Sequence, residues 1–329
     1  MMRSTVQHLT RGWHTFALLW CLCCASASNA QTLVIALAKT PLSLPFYVAQ
    51  SESFFEAEGL AVTVRDVIGG HRSMQQLLEG QADVATSSEA VVMFNSFRRD
   101  DFSVLASFAR SKEDVKVITL QDSQIRTPAQ LSHKRVGTII GSASNYYLDT
   151  LALLHGVDPK SIQLFDLQPE AMAAALKNRQ VDAISVWQPH AYDTQTQLQN
   201  AQVLPDGGFY TLNFNLVVMR KNAPRQSADL LRMLKALMRA QNLIASDPVK
   251  AKRILRDRLQ IEPAYIEWIW PRYRYQLALE QSLLTTLESQ ARWARLEGLV
   301  PRRATPNYLE FLYSAPLRSV QPTAVSITE

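Results

Sequence analysis

Two stretches of similar pattern decide the fold: "MQQLLEGQADVATSSEA" (74–90) and "MAAALKNRQVDAISVWQP" (172–189). In each, apolar residues spaced for one helical face precede a turn, and a strand then begins at an acidic residue, Asp83 or Asp182. Polar or aromatic residues follow each strand. Because the stretches lie about 100 residues apart, they predict equivalent helix–strand steps in two similar α/β lobes. The alternative is a chance recurrence, since short helix–strand patterns are common.

Strands and helices alternate around both stretches. The apolar runs "TLVIALA" (32–38) and "VKVITL" (115–120) are typical of buried strands, and a helix is expected near 45–58. The alternation starts again at "RVGTII" (135–140) and continues to a helix at 187–198. Alternation of this kind indicates βαβ units, so we predict mainly parallel sheets with helices on both faces.

The last third of the chain has a different pattern. One more strand is expected within "GGFYTLNFNLVVMR" (207–220), and helices then follow almost to the end. These predicted helices are 226–246, 248–258, 263–271 and 275–297. The predicted domains are lobe one (residues 31–120 and 208–315), lobe two (121–207) and a loose tail (316–329). The aromatic and arginine-rich stretch "EWIWPRYRYQL" (267–277) fits packing against lobe one better than stacking on bases.

The N-terminus has the order of a secretory signal. Arg3 and Arg11 precede the uncharged run "FALLWCLCCASASNA", which ends in small residues. Its apolar centre is about ten residues long, against roughly 20 for a membrane-spanning helix, which leaves an uncleaved anchor as the alternative. We therefore predict a signal peptide over residues 1–30, cleaved after Ala30 or Ala27, and a periplasmic protein.

Composition excludes several classes of function. All three cysteines (Cys21, Cys23 and Cys24) fall within the predicted signal, so the mature chain would have no disulfide, thiol nucleophile or thiolate metal site. The histidines lack metal-binding spacing, and neither a G-x-S-x-G motif nor a phosphate loop occurs, so we expect no metal, cofactor or enzymatic activity. The net charge of +5 is spread without runs, which argues against nucleic acid as a partner.

Five stretches carry a resemblance to a known family: "PFYVAQSESFFEAEGLAVTV" (45–64), "LLEGQADVATSSEA" (77–90), "VGTIIGSASNYYL" (136–148), "VDAISVWQPHA" (181–191) and "ADLLRMLKALMRAQNLIASDPVKA" (228–251). The chain resembles the periplasmic substrate-binding proteins of ABC importers for sulfonates, taurine, nitrate and thiamine precursors. This resemblance implies a two-lobed α/β fold of the type II periplasmic-binding-protein class. It also implies a clamp that closes on a small ligand by hinge motion and delivers it, without chemistry, to a membrane permease. We expect a monomer.

Candidate ligand-binding residues in lobe one follow its predicted strands. Lys39, Thr40 and Ser43 lie in the loop after the first strand, where Lys39 could supply charge and the hydroxyls could donate hydrogen bonds. Ser87, Ser88 and Glu89 open the helix after the third strand, where free N–H groups suit an anionic or carbonyl oxygen. Glu89 would repel an anion or hold a cationic group. The structural alternatives are a solvated lysine and helix-capping serines.

Candidates in lobe two occupy the corresponding strand ends. They are Gly141, Ser142 and Ser144 at a helix start, and Trp187, Gln188 and Tyr192 after the repeated strand, with Asn213 on the late strand. A tryptophan at a strand end suits an aromatic wall of a ligand site. Binding proteins of this family often have an acidic residue where this chain has Gln188, which changes the local charge.

Two other functions stay open from the sequence. A binding domain that signals to a membrane sensor needs the same clamp and the same kind of docking face. An enzyme related to thiamine-pyrimidine synthases would share the clamp fold, but such an enzyme is expected to need a cysteine-rich run and a catalytic histidine. Export also argues against that enzyme.

Overall fold

The computed structural model of the protein describes residues 32–301 and 303–327. The predicted signal peptide, with its cleavage positions and all three cysteines, lies outside the described residues. Among the residues that are described, no helix has both the length and the apolar character needed to cross a membrane.

Eleven strands and twelve α-helices make up the described chain. The strands are β1 (Leu33–Ala38), β2 (Val62–Val67), β3 (Val84–Ser88), β4 (Phe102–Ser111), β5 (Val115–Leu120), β6 (Arg135–Thr138), β7 (Gln163–Asp166), β8 (Ala183–Trp187), β9 (Ala201–Val203), β10 (Leu212–Met219) and β11 (Tyr273–Ala278). The helices are α1 (Leu44–Ser51), α2 (Phe54–Ala57), α3 (Gly70–Leu78), α4 (Glu89–Ser96), α5 (Ala143–Leu154), α6 (Pro169–Lys177), α7 (His190–Gln197), α8 (Ser227–Ser246), α9 (Pro248–Leu259), α10 (Pro263–Ile269), α11 (Gln281–Leu296) and α12 (Ala315–Val320).

The strands form two sheets, one in each lobe. Sheet one has the order β11-β4-β10-β3-β1-β2, and sheet two has the order β7-β6-β8-β5-β9. The two-lobed α/β fold is confirmed, but both sheets are mixed where mainly parallel sheets were predicted. Strands β1, β2 and β3 pair in parallel, as do β6, β7 and β8, whereas β10 and β5 run antiparallel to their neighbours. The antiparallel strands include those that carry the chain directly between the sheets, without a crossover helix to reverse them.

The repeated stretches occupy equivalent positions in the two sheets. Strand β3 lies between β1 and β10, and β8 lies between β6 and β5. The acidic residue before each strand also makes the same type of hydrogen bond, to a backbone N–H of the neighbouring strand. The Asp83 carboxylate accepts a hydrogen bond from the Val34 N–H at 2.8 Å, and the Asp182 carboxylate accepts one from the Arg135 N–H at 2.9 Å. Each aspartate thus fixes the start of the neighbouring parallel strand, which gives the repeat a physical reason.

Two predicted boundaries are corrected. Strand β5 belongs to sheet two, so the first passage between lobes runs over 112–114 and not at residue 120. The predicted loose tail contains all of α12 but its first residue, Ala315, and its described part packs on lobe one. Leu317 and Ile327 are buried, and Val325 bridges to Leu279. Apolar side chains at these positions stabilise the docked segment by leaving water.

The predicted helix at 275–297 begins later, at Gln281, because residues 273–278 form an edge strand. This strand, β11, pairs antiparallel with β4. Its sequence "YRYQLA" alternates in exposure, with Tyr273 and Leu277 buried and Arg274 and Gln276 exposed, as expected for a strand with one face on the core. The aromatic stretch 267–277 is therefore part of lobe one.

Candidate ligand-binding cleft

A cavity of about 30 Å³ lies between the two sheets. It sits where the parallel strands of both lobes end, which is where open α/β sheets place their ligands. Both connections between lobes adjoin it: Asp114 of the first connection lines the cavity, and so does Leu212, the first residue of β10 after the second connection. The lining residues are Ala38, Thr40, Leu42, Gly69, Gly70, His71, Ser88, Val91, Asp114, Ser142, Ala143, Trp187, Leu212 and Phe214.

Among the lobe-one candidates, Thr40 and Ser88 line the cavity. The Thr40 hydroxyl lies 3.5 Å from the Gln188 carbonyl oxygen in lobe two, to which it donates. Ser88 precedes α4, and its hydroxyl has no hydrogen-bond partner within the described chain. Its hydroxyl is therefore available to a polar atom in the cleft.

Three other lobe-one candidates, Lys39, Ser43 and Ser87, do not line the cavity. The Ser43 hydroxyl donates to the Ala38 carbonyl at 2.6 Å, and the Ser87 hydroxyl donates to the Gly70 carbonyl at 3.0 Å. These bonds hold the loops after β1 and β2 against the sheet. Lys39 is exposed and does not line the cavity.

Glu89 is fully buried and ties three elements together. Its carboxylate accepts hydrogen bonds from the Tyr210 hydroxyl, from the Asn213 N–H at 2.9 Å and from the Gln290 side-chain amide at 3.2 Å. Burial raises the pKa of Glu89 to about 7, although these donors favour the charged form. Glu89 does not line the cavity; it anchors α4 to the second connection and to α11. Asn213 lies in this anchor and on a separate open groove of about 850 Å³.

In lobe two, Ser142 lines the cavity at the start of α5. Its hydroxyl accepts a hydrogen bond from the Ser144 N–H at 3.2 Å and so caps the helix. Ser144 is fully buried and shares hydroxyl hydrogen bonds with Thr138 and Ser142. Gly141, at φ +77°, precedes this cap. Gly141 and Ser144 therefore shape the turn without reaching the cavity.

Trp187 forms an aromatic wall of the cavity together with a residue that the sequence analysis missed, His71. The two rings meet edge-on, with centroids 5.9 Å apart. Both His71 ring nitrogens are buried without a hydrogen-bond partner, and burial lowers the pKa of His71 to about 4. The imidazole is therefore neutral near neutral pH. The sequence does offer a signal for His71, because this residue follows the Gly69-Gly70 pair just after the end of strand β2.

Gln188 and Tyr192 hold the lobes together beside the cavity. The Gln188 side-chain oxygen accepts hydrogen bonds from the Tyr192 N–H and from the Tyr265 hydroxyl, both at 3.1 Å. The Tyr192 ring stacks on Tyr265, with centroids 4.2 Å apart. Since Tyr265 belongs to α10, these residues join lobe two to lobe one and do not line the cavity.

Asp114 is, after His71, the second titratable lining residue that the sequence analysis missed. It is only 2% exposed, and its Oδ1 accepts a hydrogen bond from the Tyr273 hydroxyl at 2.6 Å. The other oxygen, Oδ2, has no partner within the described chain. Burial, and secondarily the nearby Glu89 carboxylate, raises the pKa of Asp114 to about 7, while Lys116 acts in the opposite direction. Asp114 was missed because the boundary between lobes was predicted at residue 120, which placed Asp114 inside lobe one and not on the connection between lobes.

Charge is distributed unevenly around the cleft. No lysine or arginine is among the described residues that line the cavity. Arg72 of α3, which follows the lining residue His71 in sequence, contacts Glu170 of α6 at 2.7 Å and the Gln168 side chain at 2.8 Å, which forms a latch between the lobes. Within the described ranges no cluster of histidine and carboxylate side chains could hold a metal ion.

Comparisons with known proteins agree with this architecture. The chain is 23% identical over 223 residues to a Bacillus subtilis (strain 168) protein named for aliphatic sulfonate binding, a match that spans 66% of this chain and 67% of that protein. It is 28% identical over 167 residues to the taurine-binding periplasmic protein of Escherichia coli (strain K12), spanning 50% of this chain and about half of that protein, 51%.

Solved structures give the same fold. The alkanesulfonate-binding protein SsuA of Xanthomonas axonopodis pv. citri, bound to MOPS, superposes with a TM-score of 0.77 at 19% identity, covering 86% of this chain and 98% of that one. At that identity the likeness concerns the fold alone. The family model described as "NMT1/THI5 like" matches residues 40–251 of the 329, which is more than half of the chain. The chain therefore belongs to the NMT1/THI5-like family.

Proposed function

We propose that this protein is a periplasmic solute-binding protein that captures a small organic molecule between its lobes and delivers it to the permease of an ABC importer. The observation that carries this proposal is the convergence of Ser88, Ser142 and Trp187 on one cavity. These residues come from equivalent strand ends of two separate sheets. Two relatives are named for binding aliphatic sulfonates and taurine, which supports a small organic solute. The shared fold by itself does not decide between binding and catalysis.

Ligand entry requires the lobes to separate. The cavity volume of about 30 Å³ suits one or two water molecules, and an organic solute needs several times more space. Only two segments, 112–114 and 204–211, connect the sheets in sequence, so they are the natural hinge. Closure around a solute would then bury it between the hydroxyls of both lobes and the Trp187 ring.

The binding role is divided among the candidate residues. Ser88 supplies a hydroxyl that can donate, and Trp187 supplies an apolar face to the solute. Thr40 and Ser142 line the cavity with hydroxyls that already donate, to the Gln188 and Ile139 carbonyl oxygens, and therefore offer acceptor oxygens. The other candidates act behind them: Ser43 and Ser87 fix loops, Glu89 and Asn213 anchor the second connection, and Gln188 and Tyr192 join the lobes.

A thermal-shift screen tests the proposal, with sulfonates, nitrate, pyrimidines, amino acids and flavins as probes. A bound solute at a hundred times its dissociation constant stabilises the folded protein by about 2.7 kcal/mol. Trp187→Ala and Ser88→Ala are expected to weaken the best solute, whereas Ser51→Ala, at an exposed helix end, is not. Unchanged affinity in both cleft variants would show that the solute binds elsewhere.

A further inference from the structure

We propose, resting on the solute-binding function above, that the ligand carries a basic nitrogen group, an amine or an amidine, which donates a hydrogen bond to Asp114 at the hinge end of the cleft. The inference names a substrate class that the cleft selects. It depends on three features of the cavity wall, considered in turn: a half-satisfied carboxylate, an aromatic corner and the lack of a lining cation.

The Asp114 carboxylate has room for one more donor. Tyr273 satisfies Oδ1, while Oδ2 has no partner in the described chain, and Asp114 lines the cavity. The Lys116 ammonium, whose charge lowers the pKa of Asp114, does not fill this position, because it is held by Glu113 at 2.7 Å and by Asp206 at 2.6 Å. A buried acceptor left without a donor is costly, and a charged donor removes that cost most effectively.

The aromatic corner favours the same class of ligand. The Trp187 indole and the neutral His71 imidazole line the cavity with Asp114, and the unpaired His71 nitrogens offer an acceptor to an N–H group. An indole face attracts cationic groups through its quadrupole. A flat or short amino compound would therefore meet an acceptor, an aromatic face and a carboxylate in one cavity.

The charge of the cavity opposes a ligand that is only an anion. Arg72, which follows the lining residue His71 in sequence, is already held by Glu170, and no lysine or arginine is among the described residues that line the cavity. An anion without an amino group would lie next to Asp114 with no positive side chain to offset the repulsion. The Ser88 hydroxyl, which has no partner in the described chain, can still donate to an acidic end, so amino-bearing sulfonates are included in the class.

Calorimetric titration with matched probes tests the inference. The pairs are taurine and isethionate, 4-aminopyrimidine and pyrimidine, and benzamidine and benzamide, each differing at the nitrogen group. We expect an amino-bearing member to bind at least about tenfold more tightly than its partner. Asp114→Asn, which keeps the shape of the side chain, should weaken that member by roughly 30-fold or more. The control Asp257→Asn, at an exposed carboxylate, should leave both members unchanged.

A second measurement needs no variant. An ammonium or amidinium group binds the ionised carboxylate, so affinity should rise with pH, by up to about tenfold per pH unit, until Asp114 is ionised near pH 7. The titratable groups that face Asp114 are Tyr210, Tyr265, Tyr273, Tyr275, Glu89 and Lys116. Of these, Glu89 titrates in the same range, so Glu89→Gln is measured in parallel to separate its contribution.

Two outcomes overturn the inference and differ in what they say about the function. If isethionate or another probe without the nitrogen group binds as tightly as its partner, and Asp114→Asn retains that affinity, the nitrogen assignment is wrong while solute binding stands. If no probe binds, and the wider solute screen is also negative, solute binding fails and the nitrogen assignment fails with it. Affinity that falls as pH rises would instead show that protonated Asp114 donates to an anion.

Discussion

Replacing Glu89 with glutamine should change how stability depends on pH. Glu89 is buried, its pKa is raised from 4.5 to about 7 by burial, and it ties α4 to Tyr210 and Asn213. The variant is easily accommodated. Gln290 has an unpaired side-chain oxygen, so its amide can turn and accept a hydrogen bond from the new amide group.

The magnitude follows from linkage. The folded protein keeps the Glu89 proton up to about pH 7, whereas the unfolded chain releases it near pH 4.5. Between these values the folded state binds more protons, so the free energy of unfolding falls as pH rises. The stabilisation is complete below pH 4.5 and is lost through pH 7. At roughly 1.4 kcal/mol per pH unit, the loss attributable to Glu89 is roughly 3 kcal/mol.

Urea denaturation, followed by tryptophan fluorescence between about pH 4.5 and about pH 8, measures the free energy of unfolding. Asp149, whose pKa burial also raises to about 7, is present in both proteins and cancels in the comparison. Asp114 does not cancel fully: removing the Glu89 charge lowers the pKa of Asp114, which adds to the difference in the same direction. The advantage of the wild type over Glu89→Gln should therefore shrink by roughly 3 kcal/mol across this range. Glu56→Gln, at an exposed carboxylate, serves as control. Parallel curves for wild type and Glu89→Gln would refute the reasoning.

Two further predictions concern the closing of the cleft. Arg72→Ala removes the latch to Glu170, an ion pair in which the Arg72 side chain is 34% exposed and the Glu170 side chain 40%. Losing such a pair costs roughly 0.2–1 kcal/mol, which should lower the ratio of closed to open protein by up to about fivefold. Solution scattering of the free protein measures this ratio, and an unchanged profile would contradict the prediction. Gly69→Ala places a Cβ at φ +83°, 2.7 Å from the His71 ring and 2.9 Å from the Trp187 ring. The free energy of unfolding, measured by urea denaturation, should fall by about 1–2 kcal/mol, and solute affinity should also fall. Wild-type values of both quantities would show that the loop relaxes freely.

The sequence predicted the fold where local pattern and topology agree. Helical spacing and buried strand runs located β1, β3, β6 and β8, because those strands lie in the interior of a sheet and must be apolar on both faces. Strand β11 escaped detection, since "YRYQLA" alternates polar and apolar residues between two strongly helical segments. Its strand conformation depends on pairing with β4, which is distant in sequence.

The candidate site was predictable to the level of strand ends and no further. Ser87 and Ser88 both stand at the right place, but successive strand residues face opposite sides, so only Ser88 lines the cavity. Asp114 carries no motif. Its role depends on the chain passing between sheets at that residue, which only the tertiary topology reveals.

The order of the strands also affects how the protein is built. Sheet two uses one continuous segment, ending at Val203, while sheet one needs β10 and β11, from later in the chain. During synthesis from the N-terminus, lobe two can therefore assemble while the first half of lobe one still waits for its partners. Until Ala278 emerges, strand β4 keeps one edge unpaired, and such an edge is where misassociation begins. Because β11 is synthesised late, the unpaired edge of β4 is the place where association with another chain is expected during folding.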